Sequence, residues 1–363
     1  MKKICLVGGE DVHKRIALSH YLTKADFKVT IIGTSTKTFP DTITYVPYNL
    51  VRHFSPSSDY KTLKWLQNFF KNNDFDVIHT FDTKPAFLLP LALKKNTTPI
   101  TRTITGLGTI FMSKTVFSSA LRMSYYFIHR HIKNRVYKTI FQNYDDRDLY
   151  LKHKLVIKPN YDLIFSSGID LTQINKIAPR NHNKYTFICV ARLVYEKGII
   201  NLLEAAKLCK DKGYDFNVLL VGPLEENSKR LNKTILDSYR DVVQCLGKRH
   251  DIYDLLLNAD AFILPTFREG FARVLLEAAA VGLPIIATNV TGVREFAKHE
   301  KEALLVEVKN SKALSNAMIR LSQDKELADN LVENALKHVE KFSLEHISKQ
   351  YINIFNQAIN QEL

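Results

Sequence analysis

Short apolar runs that end in a loop and lead into a helical stretch recur along the chain, and this alternation most narrowly limits the fold. The first series of apolar runs is Lys3–Gly8, Lys28–Gly33, Asp76–Phe81, Ile100–Ile104 and Tyr137–Phe141. Helical spacing fills the gaps at Val12–Leu22, Leu63–Phe70, Pro85–Lys94 and Phe117–Ile132. Such a β/α alternation predicts a parallel, doubly wound sheet. The rhythm pauses near Ser166–Asp170 and in the polar stretch Ile177–Lys184, which contains Pro179. It then restarts with apolar runs at Thr186–Ala191, Asn217–Gly222, Val242–Leu246, Ala261–Pro265, Pro284–Thr288 and Ala303–Val306. Helical stretches lie between them at Gly198–Cys209, Asn227–Tyr239, Ile252–Leu257 and Phe271–Val281. At about 150 residues per domain, 363 residues suit two domains. The expected organisation is α/β: a Rossmann-like domain over 1–175, a second over 176–342, and a cleft between them. A final amphipathic helix over 343–363 carries Ile347, Tyr351, Ile354 and Phe355 on one side and is expected to return to the first domain.

Charge is divided unequally. Residues 1–180 carry 27 Lys and Arg against 13 Asp and Glu, which is the whole excess of +14; the remainder carries 24 of each. From Thr83 to Tyr144 there is no acidic residue, and ten cations stand there, among them Lys84, Lys94, Lys95, Arg102, Lys114 and Lys138. Such asymmetry points to an anionic partner of the first half, either nucleic acid or an anionic membrane face. Solvated surface lysines would give the same count. Phe117, Tyr125, Tyr126 and Phe127 interleave with Arg122, Arg130, Lys133 and Arg135, a pattern that suits a helix lying on a membrane surface. No apolar stretch approaches the roughly 20 residues of a spanning helix. The apolar run Ile4–Val7 is too short for a signal-peptide core. Four cysteines without a CxxC pair fit a reduced, cytoplasmic compartment and no zinc ribbon.

The most informative segment is Arg268-Glu269-Gly270-Phe271-Ala272-Arg273-Val274-Leu275-Leu276-Glu277, which follows an apolar run. A helix starting near Gly270 puts Glu269 at its mouth and Glu277 two turns in, roughly 12 Å apart. The first N–H groups, on Gly270, Phe271 and Ala272, then form a diphosphate site. A capped surface helix with acidic residues near its positive end has the same spacing. Upstream, Arg192 and Lys197 bracket a loop between a strand and a helix, where two cations can neutralise a leaving diphosphate. A solvated loop is the plainer alternative. Asp74-Phe75-Asp76 has the form of a metal-binding Asp-x-Asp but reads as a turn before a buried strand. His129 and His131, two residues apart, do not face each other on a helix and read as part of a basic face with Arg130 and Lys133. No metal site is expected.

Arg192…Glu196-Lys197-Gly198, Gly222-Pro223, Gly247, Ala259-Asp260…Leu264-Pro265 and Glu269-Gly270-Phe271…Glu277-Ala278 occur in that order. The series resembles the carboxyl-terminal domain of family-four retaining glycosyltransferases, which have the GT-B fold. His79-Thr80-Phe81-Asp82-Thr83-Lys84-Pro85 and Thr105-Gly106-Leu107-Gly108 look like the branch acting on lipid-linked sugars, similar to bacterial N-acetylgalactosaminyltransferases. The resemblance implies that Arg192 and Lys197 hold the donor diphosphate, Glu277 the ribose and Glu269 the donor sugar. It implies that Gly8 and Gly9 approach the donor from the other domain, and places His79, Lys84, Thr105 and Gly106 on the acceptor side. This chain has Thr105 where many members have His, and Glu10-Asp11 after its Gly-Gly.

The resulting expectation is a retaining transferase that moves a hexose or N-acetylhexosamine from a UDP-sugar to a lipid-linked saccharide. It needs no cofactor, and its partners are the donor, the acceptor and an anionic membrane surface, not nucleic acid. It would sit peripherally on the cytoplasmic face of the inner membrane. Two other readings share parts of the pattern. A GT-B epimerase would act without an acceptor, and a basic nucleic-acid binder would leave Glu269 and Glu277 unexplained.

Overall fold

A computed structural model describes the chain except residues 52, 94–96, 109–110, 112–114, 175–183, 226–229 and 362–363. Lys94, Lys95 and Lys114 of the basic window, most of the polar stretch 177–184, the boundary expected at 175/176 and the start of the helix expected at 227 lie outside the described residues. The chain forms two compact units, Met1–Gly168 with Leu344–Leu363, and Ile169–Ser343.

Among the described residues of the two units, the first holds seven parallel strands: β1 (Lys2–Val7), β2 (Phe27–Gly33), β3 (Ile43–Pro47), β4 (Val77–Thr80), β5 (Ile100–Ile104), β6 (Lys138–Phe141) and β7 (Tyr161–Leu163). Their order is β3-β2-β1-β4-β5-β6-β7. The second unit holds six: β8 (Thr186–Val190), β9 (Asn217–Val221), β10 (Gln244–Gly247), β11 (Ala261–Leu264), β12 (Ile285–Thr288) and β13 (Leu304–Val306), ordered β10-β9-β8-β11-β12-β13. Both are doubly wound sheets whose strand order reverses once, between β1 and β4 and between β8 and β11. Helices cover both faces, so the central strands β4, β5, β11 and β12 are buried at every residue; β11 and β12 read as apolar runs, while β4 and β5 carry His79, Thr101, Arg102 and Thr103 into the interior. The edge strands β3 and β7 are half exposed and lack that signature, which is why the sequence pattern passes over them. It also passes over the helices Tyr144–Lys152, Ser311–Gln323 and Lys325–Val339.

The helix Leu344–Asn360 belongs to the first unit. Its Ile347, Tyr351, Ile354 and Phe355 enter the core formed by Ile4, Leu6, Val29 and Phe81. The Tyr351 hydroxyl lies 3.1 Å from Thr103 Oγ1 on β5, giving a buried polar tip its partner.

Asp76 accepts a hydrogen bond from the Lys3 amide at 2.6 Å. That contact is at the entry to β1 and β4, the opposite end of the sheet from the loops where ligands of such folds bind. Asp76 therefore serves strand pairing. His129 departs from expectation: it is fully buried, with Nδ1 2.9 Å from Arg102 Nη1. Burial, reinforced by that guanidinium, holds its imidazole well below the usual range, so it is neutral scaffold and not part of a basic face.

Candidate active site

In the second unit three loops gather past the carboxyl ends of β8, β11 and β12, beside the reversal in strand order. The loop after β8 carries Lys197 and turns into the helix Ile199–Asp211 through Gly198, whose φ of 69° is left-handed. A Cβ there would lie 1.9 Å from the Pro265 carbonyl oxygen, so only glycine lets this loop cross the end of β11. The Phe267 amide then donates to the Glu196 carbonyl at 2.9 Å. The third loop closes on the second: the Glu269 amide donates to Thr291 O at 3.0 Å and the Ala272 amide to Gly292 O at 2.8 Å. Gly292 (φ 83°) has Glu269 Cβ at 2.5 Å from where its own Cβ would be, and its amide donates to buried Glu295 at 2.7 Å.

This sewing brings Lys197 and Glu269, 72 residues apart in sequence, into an ion pair through Nζ and Oε1. Their side chains are 20% and 15% exposed, so the pair is sheltered but reachable. Beneath it, burial pushes the Cys189 thiol up to about 12 while the Lys197 charge pulls it back. Arg192 is more open and pairs with Glu225 at 2.8 Å. The two cations thus each face a glutamate of their own unit.

The helix after β11 runs Arg273–Ala280, three residues later than a start at Gly270 requires. Hydrogen bonding of Glu269 and Ala272 to the Thr291–Gly292 segment holds residues 269–272 out of the helix. The Ala272 amide is consequently committed to Gly292, so it is not one of three amides open to a diphosphate. Gly270 and Phe271 stand in the same non-helical approach. Glu277 sits in the second turn, with Oε1 3.4 Å from Arg273 Nε. Tyr253 lies near enough that Glu277, after burial itself, raises its phenol above the usual range.

In the first unit the corresponding loops are those after β1, β4 and β5. The Gly9 amide donates to Asp82 Oδ2 at 3.0 Å, and the Tyr48 hydroxyl donates to Gly8 O at 3.0 Å. Asp82 has a φ of 70°, a strained conformation for a residue other than glycine. Thr83 Oγ1 donates to Gly106 O at 3.4 Å, and Thr105 stands beside it in the same loop, half-buried. Of the residues expected on the acceptor side, His79 is not available there and Lys84 is already paired. His79 is fully buried, its ring nitrogens 2.7 and 3.0 Å from Thr101 and Thr103 hydroxyls, and burial keeps it neutral. Lys84 is nearly buried and donates to Asp59 at 2.6 Å and His53 O at 2.7 Å.

The basic residues assigned to a membrane face also have local partners. Arg122 donates to Ser119 Oγ at 2.8 Å, Arg130 to His153 O at 3.0 Å and Lys133 to Lys154 O at 3.4 Å. Arg135 is half-buried and donates to Leu93 O and Thr98 O, which ties the helix end to the entry of β5. It is a structural residue.

The family profile described as "Glycosyl transferases group 1" matches residues 171–338, and that described as "Glycosyl transferase 4-like" matches residues 3–143. Between them the two glycosyl transferase profiles match both units, and the chain is a glycosyltransferase. It is 29% identical, over 81% of its own length and 82% of the relative's, to the N,N'-diacetylbacillosaminyl-diphospho-undecaprenol alpha-1,3-N-acetylgalactosaminyltransferase of Campylobacter jejuni. It is 26% identical, over 78% and 75%, to the UDP-Gal:alpha-D-GlcNAc-diphosphoundecaprenol alpha-1,3-galactosyltransferase of Escherichia coli. Sucrose-phosphate synthase from Thermosynechococcus elongatus superposes with a TM-score of 0.81 over 100% of both chains at 19% identity. Anabaena HepE in complex with UDP superposes at 0.77 over 98% of this chain and 100% of its own, at 15% identity. These likenesses are of fold, and the fold is GT-B.

Four residues that support these loops have no role in the sequence reading: Asp82, which appears there only within a motif, and Thr291, Gly292 and Tyr253. The signal for Asp82 is its place directly after a buried strand, as Gly8 follows β1. Thr291-Gly292 follows the apolar run of β12 in the same manner. Nothing in the spacing singles out Tyr253.

Proposed function

We propose that this glycosyltransferase is a retaining enzyme that transfers a hexose or N-acetylhexosamine from a UDP-sugar to a membrane lipid-linked saccharide in bacterial surface glycan synthesis. The observation that carries the reading is the Lys197–Glu269 pair on a rim of hydrogen-bonded loops at the strand-order reversal of the second sheet. Two relatives named for undecaprenol-diphosphate acceptors, aligned over three quarters or more of this chain, support the acceptor class.

In this scheme Lys197 and Arg192 stabilise the departing diphosphate, Glu269 holds donor-sugar hydroxyls and Glu277 binds the ribose. The sugar C1–O bond to the diphosphate breaks while the acceptor oxygen bonds to C1 on the same face. The acceptor proton passes to a diphosphate oxygen. Preorganised cations supply the main stabilisation of the developing charge, and no metal takes part. Gly8 and Gly9 serve the donor, and the Thr105–Gly106 loop borders the acceptor. The enzyme works peripherally at the cytoplasmic face of the inner membrane, drawn there by its basic first half.

The test is release of free UDP from a panel of UDP-sugars, with and without lipid extract, and in EDTA. Release that depends on both one UDP-sugar and lipid, and is unchanged by EDTA, is expected. Lipid-independent turnover of the donor, or a requirement for added Mg²⁺ or Mn²⁺, would refute the scheme.

A further inference from the structure

The loop that follows β12 ends in a short turn of its own. The Phe296 and Ala297 amides both donate to Val293 O, at 3.0 and 2.9 Å. Glu295, only 9% exposed, reaches back to the Gly292 amide at 2.7 Å. This is the carboxylate half of a capping box, in which a residue in the first turn bonds the N–H of the residue that opens it. On that ground alone Glu295 is a local cap. The amide it caps has a wider engagement. The Thr291–Gly292 peptide is planar, so its N–H and C=O point in opposite directions. The N–H goes to the Glu295 carboxylate, and the C=O accepts from the Glu269 amide at 3.0 Å. Fixing one side of the plane fixes the other. A charged acceptor on the N–H also polarises the peptide and strengthens the bond that its C=O accepts.

Both ends of this loop are anchored. Phe296, 2% exposed, has its ring centroid 5.6 Å from those of His338 and Phe342. At the other end the Asn289 amide donates to Val306 O at 2.8 Å. A line of contacts therefore runs from the core through Glu295 and one peptide to the backbone of Glu269, whose side chain pairs with Lys197. We infer that Glu295 is a positioning residue for sugar transfer, acting through the Thr291–Gly292 peptide to hold the Glu269 carboxylate in its working place. The inference rests on the proposed function for the role of Glu269, and it adds a residue set behind the rim.

The test compares Glu295→Ala, Glu295→Gln and Asp324→Ala in the full chain. Asp324 is the control: its Oδ1 accepts from the Leu327 amide at 2.9 Å and caps the helix Lys325–Val339 of the same unit. Glu295→Ala is expected to lower turnover of the UDP-sugar about 100-fold, the scale on which a displacement of about 1 Å slows an oriented reaction. Glu295→Gln offers a neutral oxygen to the same amide and should stay within about fivefold of the parent, the difference between a charged and a neutral acceptor. Both should bind UDP alone as the parent does, measured by calorimetry. Asp324→Ala should lower the unfolding midpoint and leave turnover unchanged. Hydrogen exchange, followed by mass spectrometry on peptides spanning residues 267–275, should be faster in Glu295→Ala than in the parent and parent-like in Glu295→Gln, because the Glu269 and Ala272 amides lose their fixed acceptors. Parent-like turnover in Glu295→Ala overturns the inference. So does equal loss in Glu295→Ala and Glu295→Gln. Loss of UDP affinity along with turnover overturns it too, since Glu295 would then support the whole unit. A parent that releases no UDP from any UDP-sugar refutes the transfer reading instead, and the exchange rates alone then uphold or overturn the linkage from Glu295 to Glu269.

Discussion

Arg102 in the first unit and Lys197 in the second both sit beside central strands, and they meet opposite fates. Arg102 is fully buried and donates to Thr139 Oγ1, to the carbonyls of Ala86 and Leu155, and toward His129 Nδ1. These partners come from one strand, two helices and a loop, so one guanidinium on β5 fastens four other pieces of chain. Burial lowers its pKa, opposed by Tyr150 and Tyr125, but a guanidinium stays charged. Lys197 faces Glu269 at the rim and keeps a fifth of its side chain open. A cation whose donors all lie in its own core has nothing left for a ligand anion. A sheltered ion pair can exchange one partner for a diphosphate. Basic charge in the sequence therefore divides by accessibility, and the half with the greater excess of charge holds the cation least available to a ligand.

The first way to break this comparison is Arg102→Met. It leaves two carbonyls, a hydroxyl and an imidazole without their donor, and breaking such a buried network typically costs about 3–5 kcal/mol. The urea-unfolding midpoint of the full chain should fall accordingly, read by Trp65, which is in the first unit. An unchanged midpoint would mean that Arg102 is not a fastening.

A second, somewhat smaller effect is expected at the rim. Glu269→Gln keeps the shape and the backbone bond to Thr291 but removes the charge. Transfer turnover should fall about 10²–10³-fold, the scale for losing one preorganised electrostatic group. Stability should change by less than about 1 kcal/mol, because a partly exposed pair contributes little. If stability drops while turnover holds, the two sites have exchanged roles.

The alternation of β-like runs makes the central strands legible; the apolar signal is continuous in β11 and is interrupted by His79 in β4 and Arg102 in β5. The edge strands Ile43–Pro47 and Tyr161–Leu163 leave none. In the site, Lys197, Glu269 and Glu277 are legible from their places after strands and their spacing. The late start of the helix Arg273–Ala280 is not, since it is imposed by hydrogen bonds from Thr291–Gly292, a segment about twenty residues away whose approach no local pattern encodes. His79 and His129 mislead for the same reason. Their partners Thr101, Thr103 and Arg102 lie on a neighbouring strand, and only pairing in space turns a polar residue into core.

Those two histidines give the most selective test. Burial holds both imidazoles well below 6.5, helped by Arg15 at His79 and by Arg102 at His129. In the unfolded chain each titrates near 6.5. As pH falls below that value the unfolded state takes up protons that the folded state refuses, so stability is full above about 6.5 and declines with acid. Each histidine contributes a slope of about 1.4 kcal/mol per pH unit until its folded value is reached. Between about pH 6.5 and 5, above most carboxylate titrations, unfolding followed at Trp65 should show close to twice that slope from this pair, with His153, lowered by burial and by Lys152 and Arg130, adding in the same direction. The double variant His79→Gln/His129→Gln should lower the midpoint at neutral pH but flatten the slope. A parent-like slope in the double variant would show that other groups carry the acid sensitivity, and the core of the first unit would not be the neutral-histidine scaffold that separates it from the rim of the second.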